Sequence, residues 1–103
     1  MLKQDEMDNI AELFGALASA TCIRILCELR ERQLYVGALA LRLQMTQSAI
    51  SQHLKVLRNG GLVESDKRGR YVHYSIPGDA LDRCRRALVH ILPRSNDTGS
   101  DSE

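Results

Sequence analysis

The chain has 103 residues, of which 44% are apolar, so it is long enough for one domain with a single core. Its formal net charge is +1. It contains no run of 18 apolar residues, and its first residues lack the apolar centre of a signal peptide. We therefore expect a cytoplasmic protein without a membrane span. Three cysteines are too few for a disulfide scaffold, and we expect them to be free thiols.

Apolar residues at helical spacing predict three helices in the first half of the chain. The first, at about residues 8–18, has an apolar stripe formed by Ile10, Leu13, Phe14 and Leu17. The second, at about 20–31, is predicted to begin near Thr21. Its core side is predicted to carry Ile23, Leu26 and Cys27, widened by Ile25 and Leu29. A third helix, ending in a short turn, is marked by Val36, Leu39 and Leu43.

A fourth helix is predicted from Thr46, whose hydroxyl can cap the first turn, to about Arg58. Its apolar face is formed by Ile50, Leu54 and Leu57. The other faces carry hydrogen-bonding side chains, namely Gln47, Ser48, Ser51, Gln52 and Lys55. Two short helices joined by a tight turn, the second exposing polar groups, are the elements of a DNA-reading helix-turn-helix.

The chemistry of the fourth helix predicts how it would contact DNA. Glutamine and serine side chains can read base edges, Lys55 suits a phosphate, and His53 could serve either purpose. Gly60 and Gly61 are predicted to end the helix, because glycine accepts the left-handed conformation that closes a helix C-terminus.

The period of the pattern then changes from 3.6 to 2, which predicts a β-hairpin from residues 62–66 and 71–76. Val72, Tyr74 and Ile76 are expected to face the core, and His73 to face away. The tip between the strands carries three cations, Lys67, Arg68 and Arg70. Residues 42–73 hold six basic and two acidic side chains. Behind a helix-turn-helix, this surplus predicts a wing that contacts DNA phosphates or the minor groove.

A fifth helix is predicted from Asp79, as its cap, to about Leu92. Its apolar stripe is formed by Leu81, Cys84, Leu88 and Ile91. So small a core leaves this stripe without a partner, and we expect it to pair with a second copy of the chain. The alternative is packing against the first helix. We expect the polar tail at 93–103 to be disordered.

The predicted fold is mainly α with a small β-hairpin, a winged helix-turn-helix of five helices plus a wing in the order ααααββα. Several segments together resemble the ArsR/SmtB family of winged-helix repressors. They are residues 12–21 (ELFGALASAT), 23–26 (IRIL), 46–58 (TQSAISQHLKVLR), 61–63 (GLV) and 69–74 (GRYVHY). The resemblance covers about residues 10–92. We take residues 1–92 as one winged helix-turn-helix domain for DNA binding and dimerisation.

The resemblance implies a homodimer, joined through the first and fifth helices, that binds an operator of inverted half-sites. It implies that the dimer blocks transcription and leaves the operator when an inducer binds. The recognition residues that it implies are Gln47, Ser48, Ser51, Gln52 and His53, with Arg68 and Arg70 in the wing.

The chain departs from the family where its members bind metal ions. Members that sense metals at the third helix carry Cys-Val-Cys, and the matching residues here are Tyr35, Val36 and Gly37. Members that sense zinc at the dimer interface use Asp-x-His and a later His-x-x-Glu on the fifth helix, and neither pair is complete here. We therefore expect no two-histidine zinc site.

Three interpretations of Cys22, Cys27 and Cys84 stay open. Three thiolates would suit As(III), although Cys22 and Cys27 diverge by about 140° on an ideal helix, so the site needs Cys84 or a second subunit. Cys27 and Cys84 would alternatively form a redox switch, since residues 25–27 resemble half of the family's dithiol sensors of persulfides or oxidants. That disulfide requires Cα atoms within about 7 Å. The third interpretation is that Cys27 and Cys84 only pack on core-facing stripes.

Two other functions use the same fold. The first alternative is a winged helix that contacts a protein instead of DNA. The second is a repressor without cysteine-based sensing. A polar recognition face disfavours the first, because protein interfaces favour aromatic and apolar anchors. The sequence contains no glycine-rich phosphate loop, paired catalytic carboxylates or nucleophile beside a base, so we expect no enzyme.

Overall fold

A computed structural model describes residues 1–94. Residues 95–103 of the tail, which the sequence predicts to be disordered, lie outside the described residues. Within residues 1–94 the helices are α1 (Gln4–Gly15), α2 (Ala20–Glu31), α3 (Val36–Leu43), α4 (Gln47–Asn59) and α5 (Ala80–Ile91). The strands are β1 (Leu34–Tyr35), β2 (Glu64–Arg68) and β3 (Tyr71–Ser75). This architecture confirms the predicted winged helix-turn-helix with five helices and a hairpin.

The hairpin belongs to a three-stranded antiparallel sheet with the order β1-β3-β2. Strand β1, which the sequence did not predict, pairs Leu34 with Tyr74 and Tyr35 with His73. Two residues are too few to display a period of 2, so only the pairing with β3 reveals this strand. It joins the wing to the start of α3.

The wing turn is shorter than predicted. Gly69, at a φ of +61°, and Arg70 form a two-residue turn, and Arg68 pairs with Tyr71 directly before it. Glycine at the first turn position accepts a left-handed φ, which lets the ladder continue almost to the tip. The prediction of a four-residue tip was therefore wrong, since Lys67 and Arg68 lie in β2.

The start of α1 and the caps of α2 and α5 differ from the predictions, whereas α2 and α5 begin where the sequence predicted. Helix α1 begins at Gln4, not near residue 8, and the backbone N–H of Lys3 donates to the Glu6 carboxylate at 2.8 Å. Ser19, not Thr21, caps α2, because its hydroxyl accepts from the Cys22 N–H at 3.3 Å. Asp79 precedes α5 without a capping hydrogen bond.

The buried face of α2 differs from the predicted one. Cys22, Ile25 and Leu29, spaced at i, i+3 and i+7, are buried, whereas Ile23 and Cys27 are exposed. Two overlapping stripes fit the same apolar residues, and periodicity alone does not choose between them. Packing against α4 selects the stripe through Cys22.

The core centres on α4. Ile50, Leu54 and Leu57 are each at most 1% exposed, as the sequence predicted for that face. They share one cluster with buried residues of the three preceding helices, among them Leu13, Ile25 and Leu39. The helix predicted to read DNA is thus held on its inner side by three other helices.

No single helix within residues 1–94 is long and apolar enough to cross a membrane. Helices α1 and α2 reach the required length and composition only when taken together, across a bend of 77°.

We predict that Leu54→Ala lowers the free energy of unfolding by about 2–5 kcal/mol, because the substitution leaves a cavity under α4. Urea denaturation followed by far-UV circular dichroism measures this change. Val56→Ala on the same helix is the matched control, since Val56 is 46% exposed and should cost less than about 1 kcal/mol. Equal losses for the two variants would contradict the burial of this face.

Candidate nucleic-acid interface

Helices α3 and α4 form the predicted helix-turn-helix. Gln44 closes α3 in the left-handed conformation, with φ 56° and ψ 48°. The Thr46 hydroxyl then accepts from the Ala49 N–H at 3.1 Å, which confirms Thr46 as the cap of α4. One left-handed residue and one cap therefore set the direction in which α4 leaves the turn.

The outer face of α4 presents hydrogen-bonding groups to solvent. Six residues predicted to contact DNA are exposed, namely Thr46, Gln47, Ser48, Ser51, Gln52 and Lys55. The apolar stripe of α4 points to the core, so these side chains are available together along one helix. Such a face can read base edges in a major groove.

His53 does not belong to this outer face. It is half-buried, and its Nδ1 lies 3.7 Å from the Sγ of the fully buried Cys22 in α2. His53 follows Ile50 by three residues and precedes Leu57 by four, so helical geometry turns it toward the core. The structure therefore places His53 beside the core and apart from the exposed residues of α4, and this spacing was the signal in the sequence for that position. Its role in DNA recognition stays a prediction.

The wing carries its three cations at the surface. Lys67, Arg68 and Arg70 are all exposed. The Arg68 Nε lies 3.1 Å from an Asp66 carboxylate oxygen, which offsets part of its positive charge. The other two cations have no ion pair within residues 1–94, so they supply most of the positive field of the wing.

The inner face of the wing differs from the prediction at two residues. Tyr74 and Ile76 pack against the core, but Val72 is exposed because it lies near the tip, beyond the end of the core. His73, predicted to face away, is half-buried. Strand β1 covers it, and its ring meets the Tyr35 ring edge-on at a centroid distance of 5.9 Å.

The three cysteines occupy different environments. Cys22 is buried, Cys27 is exposed, and Cys84 is half-buried against the core. In the part of the chain that the structure describes, no three His, Cys, Asp or Glu side chains come together as metal ligands. One protomer alone therefore does not assemble the three-thiolate As(III) site. The exposure of Cys27 also contradicts its interpretation as a packing residue.

Arg83 of α5 joins that helix to the end of α4, a link that the sequence analysis missed. Its guanidinium donates to the Gly61 carbonyl, and its Nε lies 3.4 Å from the Asp79 carboxylate. Gly61 has a φ of +79°, and a Cβ there would collide with the guanidinium. The paired glycines at 60 and 61 were the available signal that a side chain approaches this turn closely.

Helix α5 divides its apolar residues between two faces. Ala80 and Ala87 are buried and Cys84 is half-buried, so the small side chains face the rest of the chain. The large ones are exposed, namely Leu81, Leu88, Val89 and Ile91, as is Leu92 directly after the helix. Three of the four residues of the predicted stripe, Leu81, Leu88 and Ile91, are therefore uncovered within one chain.

The chain is similar in sequence to known transcriptional regulators. A profile described as "Bacterial regulatory protein, arsR family" matches residues 19–65. The transcriptional activator HlyU of Vibrio cholerae is 38% identical over 82 residues, which cover 80% of this chain and 72% of HlyU. The HTH-type transcriptional regulator CmtR of Mycobacterium tuberculosis is 40% identical over 83 residues, which cover 81% of this chain and 70% of CmtR.

Solved structures agree with the sequence comparisons. An ArsR-like transcriptional regulator from Rhodococcus sp. RHA1 superposes with a TM-score of 0.76 at 36% identity, over 87% of this chain and 83% of that one. These relatives are transcriptional regulators and not enzymes. With its helix-turn-helix, its wing and these likenesses, the chain belongs to the ArsR family of transcriptional regulators.

Proposed function

We propose that this chain is a homodimeric repressor that leaves its operator when a thiol-reactive inducer acts on it. The observation that carries the DNA-binding part is the juxtaposition of an exposed polar face on α4 with an exposed cationic wing. A protein that regulates transcription in this way works in the cytoplasm of a bacterium, where its operator lies.

In this proposal the two α4 helices of a dimer enter successive major grooves about one helical turn apart. The residues that read base edges are Gln47, Ser48, Ser51 and Gln52. Lys55 and the wing residues Lys67, Arg68 and Arg70 contact phosphates, and Thr46 orients α4 through its cap. Base contacts then set the preferred sequence, and phosphate contacts set most of the affinity.

The two classes of contact predict different mutant phenotypes. Arg70→Ala should weaken binding to all DNA sequences alike and reduce the slope of log Kd against log salt by about one. Gln52→Ala should cost about 1–3 kcal/mol at one base position and relax preference there. Fluorescence anisotropy with operator and single-base variants, over a salt series, measures both. A uniform loss in both variants would contradict the assignment of α4 as the reading helix, and salt-independent binding would favour a protein partner.

The exposed leucines of α5 support a dimer through α1 and α5. Leu81 and Leu88 are 62% and 41% exposed and lie seven residues apart, on one side of the helix. Burying leucines against a second copy contributes about 1.5–3 kcal/mol for each side chain. The dimer interface therefore accounts for the large side chains of α5 that the single chain leaves uncovered.

We predict that Leu88→Glu raises the dimer dissociation constant by at least about tenfold, because a carboxylate replaces an apolar contact. Sedimentation equilibrium measures the constant, and the operator affinity should fall with it. Leu41→Glu on α3 is the matched control, since Leu41 is 80% exposed and lies outside the proposed interface. A Leu88→Glu variant that dimerises like the control would rule out this surface.

The sensing part of the proposal rests on the positions of the cysteines. Cys27 is the exposed thiol, and it lies on the same helix as Cys22, whose sulfur touches His53 of α4. A reaction at Cys27 that shifts α2 would therefore disturb the helix that reads DNA. Arsenite exchanges its hydroxyl groups for thiolates and releases water, whereas a polysulfide oxidises thiols as its own sulfur is reduced.

We predict that arsenite or polysulfide releases the protein from its operator and that Cys27→Ser abolishes this release. Cys22→Ser should keep the response, because Cys22 is buried and Cys27 stays available. Cys84→Ser tests whether the half-buried thiol takes part as a second ligand or disulfide partner. Anisotropy of preformed complexes during titration with each reagent gives the answer. Specific binding that resists both reagents would favour a repressor without cysteine-based sensing.

A further inference from the structure

We propose that a cleft between the wing and the start of α3 holds the sugar–phosphate backbone of the operator, an inference that rests on the proposed DNA binding. The cleft has a volume of about 270 Å³. We call it the tyrosine cleft, and the residues that line it include Tyr35, Gly37, Gln47, Arg70, Tyr71 and Val72. It shares Gln47 with the base-reading face and Arg70 with the wing cations, and it adds Tyr35 and Tyr71 to them.

Two of the four aromatic residues of the chain form the wall of this cleft. The rings of Tyr35 and Tyr71 lie 4.9 Å apart between centroids and are tilted by 49°. Tyr35 is 37% and Tyr71 50% exposed, although both are large aromatic side chains. A tyrosine in such a position packs its ring against deoxyribose and donates its hydroxyl to a phosphate oxygen.

The fold positions Tyr35 from two sides. Its backbone pairs with His73 across the sheet, and its ring meets the His73 ring edge-on. On the other side lies Gly37, where an added Cβ would stand 2.9 Å from Tyr35 Cε2 and 3.6 Å from Gln47 Nε2. The absence of a side chain at position 37 lets the ring lie beside the first residue of α4.

The charge of the tyrosine cleft selects an anion. Arg70 contributes a guanidinium and Gln47 an amide, and no carboxylate is among the described residues that line the cleft. Gln47 begins the base-reading helix, and Arg70 lies in the wing turn. A DNA strand that passes from the major groove at α4 to the wing must cross the space between them. A phosphodiester backbone fits this position in both charge and path.

The test couples single phosphates to single side chains. Operator duplexes that each carry one neutral methylphosphonate are scanned by fluorescence anisotropy with the wild-type protein and with the variants Tyr71→Ala and Arg70→Ala. At one backbone position in each half-site we expect the methylphosphonate to weaken wild-type binding by about tenfold. The same replacement should cost the Tyr71→Ala and Arg70→Ala variants no more than about twofold, because their contact is already lost. Arg30→Ala is the control cation, because Arg30 is exposed on α2 and is not among the residues proposed to contact DNA or a second copy of the chain, and it should keep the full wild-type penalty.

Gly37→Ala provides a second approach to the same cleft, because it displaces the Tyr35 ring without removing a polar group. It should lower affinity for all sequences and also remove the penalty at the same phosphate. Thermal melts matched to wild type establish that each variant is folded, and Arg70→Ala changes only an exposed turn residue. Equal penalties in the wild type and in every variant at all phosphates would overturn the tyrosine cleft while leaving DNA binding intact. Failure of the wild type to bind the operator would instead overturn the proposed function, and this inference with it.

Discussion

The burial of one face of α4 is the constraint on which the rest of the structure depends. A recognition helix must leave most of its surface polar, so only three large side chains, Ile50, Leu54 and Leu57, anchor it to the core. Three such side chains stabilise a helix well only when other helices cover them from several directions. Helices α1, α2 and α3 therefore pack around α4.

Beyond the core, two side-chain contacts join α4 to elements with different tasks. Cys22 touches His53 from α2, and Arg83 donates to Gly61 from α5. The Cys22 contact lies on the half-buried side of α4, and the Arg83 contact lies in the turn that follows the helix, so neither involves the exposed polar residues that are proposed to read bases. In the proposed function, a change in the thiols of α2 or in a pairing of α5 with a second copy would therefore reach α4 through these contacts.

Sequence patterns predicted the parts of the interface that local interactions decide. The cap of α4 at Thr46 needs only a hydroxyl one residue before the helix, and the hairpin needs only alternation around Gly69. The residue type of His53 suits DNA contact, but its spacing from Ile50 and Leu57 puts it beside the core, where it is half-buried. On α2 the exposed side of Cys27 followed from packing against α4, a contact between residues distant in sequence.

By itself, the sequence determined the five helices, the hairpin and the polar outer face of α4, because each arises from capping, turn chemistry or a period within a few residues. The tertiary structure decided which stripe of α2 is buried, that β1 joins the sheet, and that Tyr35 meets Tyr71 beside the wing. These features depend on pairs of residues that are far apart along the chain. Their energies are set by the packing of whole elements, which no local pattern records.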